Sequence, residues 1–278
     1  MADSLGIDLG RAACAAARRD GEWIEPCRLA STGQTAPVSD LLREGTGADA
    51  GAVLRAITAR ALGGDPVGTV AVAGDAGMAD AARALFPDPV LVPRAVAAAA
   101  WHLRDERPDA EGVLAVIEAE AREAAVSVVE CGPEWLDVVA VGASGAGDIP
   151  GLLVEVLARA DLAISGLHGV VIVGGAQGLH RVRDTVAAAT GLPVTVDAEP
   201  TLAVAFGAAL LAGDDRRRVS GAAFATSAAS LGTTTPWLVS TGRMTALGNA
   251  AGTAAGTAAG DRLAGARAGV TAARAAAR

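Results

Sequence analysis

The stretch GVVIVGGAQGLHRVRDTVAAATGLPVTVDAEPTLAVAFGAALLA, residues 169–212, decides how the chain should fold. An apolar run ends in Gly174 and Gly175, and an amphipathic segment, a short apolar segment and an alanine-rich segment follow. Short apolar runs bounded by turn residues indicate buried strands, and apolar residues three or four apart indicate helices. The order strand, glycine turn, helix, strand, helix is typical of an α/β unit.

Composition and charge narrow the classes of function. The chain has 278 residues, enough for two small lobes, and a formal net charge of −8. Residues 214–278 carry eight Arg and three Asp, a balance of +5, so residues 1–213 carry −13. An acidic body argues against nucleic acid as the main partner.

Cysteine usage and the start of the chain suggest a cytoplasmic protein. Cys14, Cys27 and Cys131 form no C-x-x-C pair and have no His at ligand spacing, so we expect neither a metal site nor a disulfide framework. The first residues, MADSLGIDLG, lack the basic and apolar regions of a secretory signal. No segment reaches the roughly 18 strongly apolar residues expected of a transmembrane span.

Residues 169–212 resemble the adenosine motif of the actin-like ATPases, and most closely that of DnaK-type heat-shock chaperones. In that family a V-V-L-V-G-G strand end precedes a helix, a V-x-V-D strand and an A-V-A-x-G-A-A helix, and here VVIVGG, VTVD and AVAFGAA match. The resemblance covers roughly residues 4–212. It implies an α/β fold of two ribonuclease-H-like lobes, and the family's large lid subdomains do not fit into the available lengths.

The resemblance and the shifts in composition predict three parts. Residues 1–106 form the first ribonuclease-H-like lobe, and residues 107–213 form the second lobe with the adenosine-like motif. Residues 214–278 form an Ala/Gly/Arg-rich C-terminal tail. The charged stretch RDERPDAEG, residues 104–112, marks the expected boundary between the lobes.

The first phosphate loop of the family, D-L-G-T-T or similar, aligns with Asp8, Gly10 and Arg11. The resemblance implies that Asp8 holds magnesium through water and that the backbone near Gly10 holds phosphate. Arg11 and Ala12 replace the two threonines, and Arg11 still offers positive charge to an anion. In the alternative interpretation, Asp8 and Arg11 lie at the end of a strand and bind no ligand.

The second phosphate loop of the family, D-L-G-G-G-T-x-D, aligns with EAEAREAA, residues 118–125. Every glycine that would let the backbone wrap a γ-phosphate is missing. Glu118 stands where the family has a magnesium-positioning aspartate, and Glu123 stands where it has a catalytic threonine. Glu118 and Glu120 would face the same side of a strand, but no positioned His supports acid–base catalysis, and we expect a solvated hairpin.

Two further motifs depart from the family. E-P-T-A-A-A aligns with VPRAVAAAA, residues 92–100, so the glutamate that helps to bind the catalytic water and metal is Val92. After Gly174 and Gly175, Ala, Gln and Gly replace the Ser, Ser and Arg that contact ribose and adenine. In one interpretation, the two glycines still permit a ligand to approach, and Gln177 forms a hydrogen bond with a sugar. In the other, the glycines serve only the tight packing of strand and helix.

The positions that align with the family's phosphate and adenosine motifs are predicted to bind nucleotide. They are Asp8, Gly10, Arg11, Glu118, Gly174, Gly175 and Gln177. ATP and magnesium remain candidate cofactors. No catalytic residue and no direct metal ligand is predicted.

The tail contains glycines at every fourth residue, a glycine-zipper pattern: Gly248, Gly252, Gly256 and Gly260. Glycines at this spacing share one helix face and let another helix approach closely. Three alternatives stay open. The tail is flexible, or residues 244–278 dock as a helix on a partner protein or a second copy, or the terminal Arg residues associate with a membrane.

The pattern of lost positions favours a degenerate actin/chaperone-like protein, a pseudo-ATPase that acts as a scaffold or regulatory partner in a protein complex. Phosphoryl transfer needs metal ligands, a phosphate-cradling backbone and a placed nucleophile together. One alternative is an ATP-binding nucleotide switch or weak ATPase of the chaperone type. The other is a peripheral membrane assembly factor.

Overall fold

The computed structural model describes residues 3–10, 14–27, 54–55, 58, 68–74, 76–105, 111–121, 123–145, 147–213 and 218–219. Arg11 and the glycines predicted to form a zipper lie outside these residues. The described part is an α/β structure with two mixed sheets, as the sequence predicts. Both sheets lie within one compact unit, residues 1–239. The limits proposed at residues 106 and 213 stay a prediction.

The first sheet has the strand order β3-β2-β1-β4-β5. Its strands are β1 (Ser4–Leu9), β2 (Cys14–Asp20), β3 (Trp23–Pro26), β4 (Thr69–Ala73) and β5 (Val90–Val92). β1 pairs antiparallel with β2 and parallel with β4. β1 is therefore the central strand, where the antiparallel half of the sheet meets the parallel half.

The second sheet has the order β10-β9-β6-β7-β8-β11. Its strands are β6 (Gly112–Ala119), β7 (Glu123–Cys131), β8 (Trp135–Gly145), β9 (Gly169–Val173), β10 (Val194–Val196) and β11 (Arg218–Val219). Apart from β11, the order and the strand directions repeat those of the first sheet, with β6 in the place of β1. This repeated topology confirms the predicted pair of actin-like lobes.

Five helices are described: α1 (Ala76–Leu85), α2 (Arg94–His102), α3 (Ile149–Arg159), α4 (Leu179–Thr190) and α5 (Ala203–Ala212). Asp148 caps α3, because its carboxylate accepts a hydrogen bond from the Gly151 N–H at 2.9 Å. α4 ends at Gly191, whose φ of 69° is the left-handed conformation that commonly stops a helix. In the part of the chain that the structure describes, none of the helices has the length and apolar character needed to cross a bilayer.

α2 and α5 each pack on the sheet formed by the other half of the chain, an arrangement called here the exchange of α2 and α5. α5 follows β10 but contacts β1, β2 and β4 of the first sheet, and α2 follows β5 but contacts β6, β7, β8 and β9 of the second. The two helices also pack on each other. Their approach depends on Gly207 in α5, where a Cβ atom would lie 1.8 Å from the carbonyl oxygen of Ala97 in α2.

Side chains of β6 alternate between the two faces of the second sheet, as they must in a pleated strand. Leu114 and Val116 belong to the buried cluster that contains α2 and α5, whereas Ala115 and Ile117 pack with α3 and α4. Even-numbered residues of β6 therefore face α2. This alternation directs Glu118 toward the first residue of that helix.

Candidate functional site

The candidate site is centred on Arg94, the first residue of α2. Pro93 precedes it with φ −59° and ψ 138°, an extended conformation that separates the end of β5 from the start of the helix. Proline is well suited to this place because its fixed φ and missing N–H cost nothing before the first helical turn. The side chain of Arg94 points inward and is only 14% exposed.

The Arg94 guanidinium joins carboxylates from both sheets. Its Nε donates a hydrogen bond to Asp8 Oδ1 at 2.9 Å, and its Nη2 donates to Asp8 Oδ2 at 3.2 Å. Its Nη1 lies 2.9 Å from Glu118 Oε2, and Glu120 Oε1 lies further away, 4.0 Å from Nη2. One side chain therefore connects the end of β1 to the end of β6.

Burial sets the electrostatics of this cluster. It raises the pKa of Asp8 to about 6, since desolvation outweighs the opposing effect of Arg94 and since Glu118 and Glu120 add repulsion. Burial acts to lower the pKa of the Arg94 guanidinium, but the three carboxylates together hold it above its ordinary value. One cation thus faces three acidic groups, and the cluster has an excess of negative charge when all of them are ionised.

The segment aligned with the second phosphate loop contains the end of β6 and the start of β7. Pairing of β6 with β7 continues to Ala119 and Ala124, and the N–H of Glu120 then donates to the carbonyl of Glu123 at 2.9 Å. Glu118 is 8% exposed, so the expected solvated hairpin is wrong at this residue. Its counter-charge comes from a distant segment, and the local sequence contains no sign of it.

Gly174 and Gly175 bring the end of β9 against the end of β6. Gly174 has φ 119°, and a Cβ atom there would lie 2.3 Å from the carbonyl oxygen of Ala119. The N–H of Ala176 donates to the same oxygen at 3.1 Å, and the N–H of Gly175 donates to Glu120 Oε2 at 3.3 Å. The glycines therefore pack two strand ends together, which differs from the packing of strand and helix that the sequence analysis gave as the alternative.

The structure distributes the remaining predicted positions around this cluster. Gly10 is buried just after β1, and the thiol of Cys14 lies 3.9 Å from its carbonyl oxygen. Burial raises the pKa of Cys14 to about 12, so this thiol is neutral and unreactive. Gln177 lies exposed just before α4. Arg11 is outside the described residues.

Arg94 is the residue that the sequence analysis missed. The signal was present in the alignment of VPRAVAAAA with E-P-T-A-A-A, where Arg94 replaces the threonine. An Arg at the start of an otherwise apolar, alanine-rich helix needs a charged partner if it is buried.

The residues at the site do not fit a magnesium–nucleotide complex bound as in the actin-like ATPases. The Arg94 guanidinium lies between Asp8 and Glu118, the two carboxylates aligned with the family's metal positions. The turn after β6 closes on itself, and the surplus of carboxylates repels a polyphosphate. Within the described ranges, no group of three His, Cys, Asp or Glu side chains could hold a metal ion.

Comparison with known protein families finds that the family described as Hsp70 protein matches residues 149–247. This range is just over a third of the chain and contains β9, α4, β10 and α5. The match and the two mixed sheets confirm the relationship to actin-like ATPases with a DnaK-like nucleotide-binding domain. No curated protein gives a significant match to the chain.

Proposed function

We propose that this relative of the Hsp70 nucleotide-binding domain is a degenerate, non-hydrolysing protein that acts as a scaffold or regulatory partner in a protein complex. The observation that carries the proposal is the closed turn between β6 and β7. The hydrogen bond from the Glu120 N–H to the Glu123 carbonyl takes up backbone groups where the family's glycine loop surrounds the γ-phosphate. Without that cradle, the transferred phosphoryl group has no preorganised donors around it.

The charges beside the turn support the same proposal. Asp8, Glu118 and Glu120 surround a single guanidinium. A carboxylate without a cation of its own, placed about 4 Å from a phosphate oxygen, repels it by about 4 kcal/mol at an effective dielectric constant of about 20. ATP carries several such oxygens, so the repulsion opposes binding before any question of catalysis arises.

The first experiment compares thermal unfolding of the purified full chain alone, with millimolar ATP and magnesium, and with ADP and magnesium. We expect the same Tm in all three samples. Binding to the folded state at about one hundred times Kd would add about 2.7 kcal/mol, which corresponds to roughly 5–10 °C in a chain of this size. A magnesium-dependent shift of that size overturns the proposal and favours the nucleotide switch.

The variant Glu118→Gln serves as the matched control for any shift that appears. It retains the shape of the side chain and removes the charge aligned with the family's magnesium-positioning aspartate. If nucleotide binds at the cluster, this variant changes the shift. If the shift is the same in the variant, the nucleotide binds elsewhere on the protein.

The scaffold role is tested through the predicted tail. Light scattering after size exclusion compares the mass of the full chain with that of residues 1–219. A larger mass for the full chain supports assembly through residues 244–278, and replacing Gly248, Gly252, Gly256 and Gly260 with Leu should abolish it, because Leu prevents the close approach of two helices. Equal monomer masses direct the search to a different protein as the partner.

A further inference from the structure

We infer that Arg94 is a tethered cation that takes the place of a metal–nucleotide complex, so that the ends of β1 and β6 are held together without any ligand. This inference deepens the proposed function and rests on it, because the same cluster cannot hold both the guanidinium and a bound nucleotide. It assigns to one side chain the bridging role that a ligand would otherwise have.

The geometry of the contacts supports a bridge rather than a single ion pair. The guanidinium is planar and presents its N–H groups on different edges, so it can bind two carboxylates at once. One edge, Nε and Nη2, contacts both oxygens of Asp8, and the other end, Nη1, contacts Glu118. Bidentate, charge-assisted contacts of this kind are the strongest class of hydrogen bond in proteins.

Burial makes the bridge indispensable to these carboxylates. The side chains of Asp8 and Glu118 are 4% and 9% exposed, so water screens them poorly. Removing one partner of a buried ion pair leaves an uncompensated charge and typically costs about 3–5 kcal/mol. Without Arg94, the two carboxylates would need another cation, extra protons or separation of the two strand ends.

The test replaces Arg94 with methionine, which retains much of the aliphatic packing and removes the charge. We expect Arg94→Met to lower Tm by about 10 °C, from the typical cost of breaking a buried pair and the usual change in Tm per kcal/mol. Adding 10 mM guanidinium chloride or 10 mM magnesium chloride should raise the Tm of this variant by several degrees. The wild type should not respond, because its own guanidinium already fills the position.

Controls separate this rescue from salt and denaturant effects. At 10 mM, guanidinium destabilises a protein by less than about 0.1 kcal/mol. Potassium chloride at equal ionic strength controls for screening. Arg183→Met is the matched variant, since Arg183 is 42% exposed and pairs with its neighbour Asp184. It should melt close to the wild type and show no rescue.

Two outcomes of the rescue experiment would overturn the inference. One is a Tm of Arg94→Met within about 2 °C of the wild type, which would show that the bridge contributes little to the free energy of unfolding. The other is a variant that melts low but gains nothing from either cation, which would assign the loss to packing alone. If ATP stabilises the wild type while the rescue succeeds, the nucleotide binds outside the cluster, so the proposed function fails and the cation role of Arg94 stands.

A second measurement keeps the inference testable if Arg94→Met does not fold. Hydrogen exchange of Glu118→Gln should speed up at the end of β1 in the other sheet by about tenfold, the change expected when a charge-assisted hydrogen bond is weakened. Glu130→Gln on β7 is the control, because Glu130 faces Asp137 rather than Arg94. Unchanged exchange at the end of β1 in Glu118→Gln would overturn the bridge.

Discussion

Asp8 and Glu118 are the next-to-last residues of β1 and β6, the corresponding central strands of the two sheets, and a single guanidinium contacts both. They are far apart in the sequence, but the repeated topology places them at matching strand ends. The repeat of the fold therefore brings two acidic groups together, and Arg94 converts their repulsion into a link between the sheets.

The stability of the protein should depend on pH through Asp8. Burial raises the pKa of Asp8 from 3.8 to about 6, so between these values the folded state binds more protons than the unfolded state. The stabilisation from Asp8 is complete below about pH 4 and is lost as the pH rises through about 6. We expect the free energy of unfolding of the wild type, relative to Asp8→Asn, to fall by about 2 kcal/mol between pH 4 and pH 7.

Denaturant unfolding of both proteins across this pH range measures the difference. Asn cannot titrate, so other groups with the same behaviour in both proteins cancel in the comparison. A direct check is the carboxyl carbon shift of Asp8 by NMR, which should have its midpoint near pH 6. A difference that is flat with pH, or that grows as the pH rises, would contradict the prediction.

The contact between α2 and α5 should tolerate no side chain at Gly207. In Gly207→Ala the new Cβ would lie 1.8 Å from the Ala97 carbonyl oxygen, so the helices must separate. We expect a loss of about 3 kcal/mol or more, although alanine is the better helix former by about 1 kcal/mol. Thermal unfolding measures it, with Gly145→Ala as the control because a Cβ there meets nothing within 4 Å. Equal Tm values for the two variants would contradict this packing.

The two glycines at the end of β9 should differ in their tolerance of alanine. Gly174 has φ 119° and faces the Ala119 backbone, so Gly174→Ala is strained in conformation and blocked in space. In Gly175→Ala the Cβ would lie 3.3 Å from the Glu120 carboxylate oxygen, the end of a side chain that can shift. We expect a loss of at least about 2 kcal/mol for Gly174→Ala and less than half of that for Gly175→Ala.

The two glycine variants also test the alternative role of this turn. If the pair of glycines served ligand approach alone, both variants would fold as well as the wild type and differ only in binding. Urea unfolding measures their stabilities, and a stability of Gly174→Ala equal to that of the wild type would remove the packing role.

A protein truncated after residue 219 should fold. The described sheets and helices end with β11, whose backbone pairs with Trp135 and Leu136 at the edge of β8. We expect residues 1–219 to melt within a few degrees of the full chain, and residues 1–213 to melt slightly lower because that edge pairing is lost. Circular dichroism and dye binding measure this, and a molten 1–219 fragment would place part of the core in the tail.

Much of the fold could be predicted because its signals are local. The apolar run before Gly174 and the alanine-rich helix near residue 205 each carry their own pattern within a few residues. The family motif then supplied the order of the elements. Neither the local patterns nor the family motif depends on information about which distant segments are in contact.

The site could be predicted only in part because its decisive contact is not local. Asp8 and Glu118 were identified by alignment, but their burial depends on Arg94, which lies on a third segment. Alternation along a strand predicts that Glu118 and Glu120 face the same side, yet it cannot show what lies opposite them. Because the neighbouring residues show no positioned partner for Glu118, the sequence predicts a solvated hairpin where the folded protein has a buried ion pair.

The exchange of α2 and α5 determines when the chain can complete its structure during synthesis. The first sheet is made early, but the helix that covers its inner face is α5, which ends at Ala212. Until that helix has left the ribosome, Gly6 and its neighbours on β1 have no backbone of α5 to pack against. Contacts of such long sequence separation form slowly, so the nascent first half should remain dependent on shielding by other factors until the second half arrives.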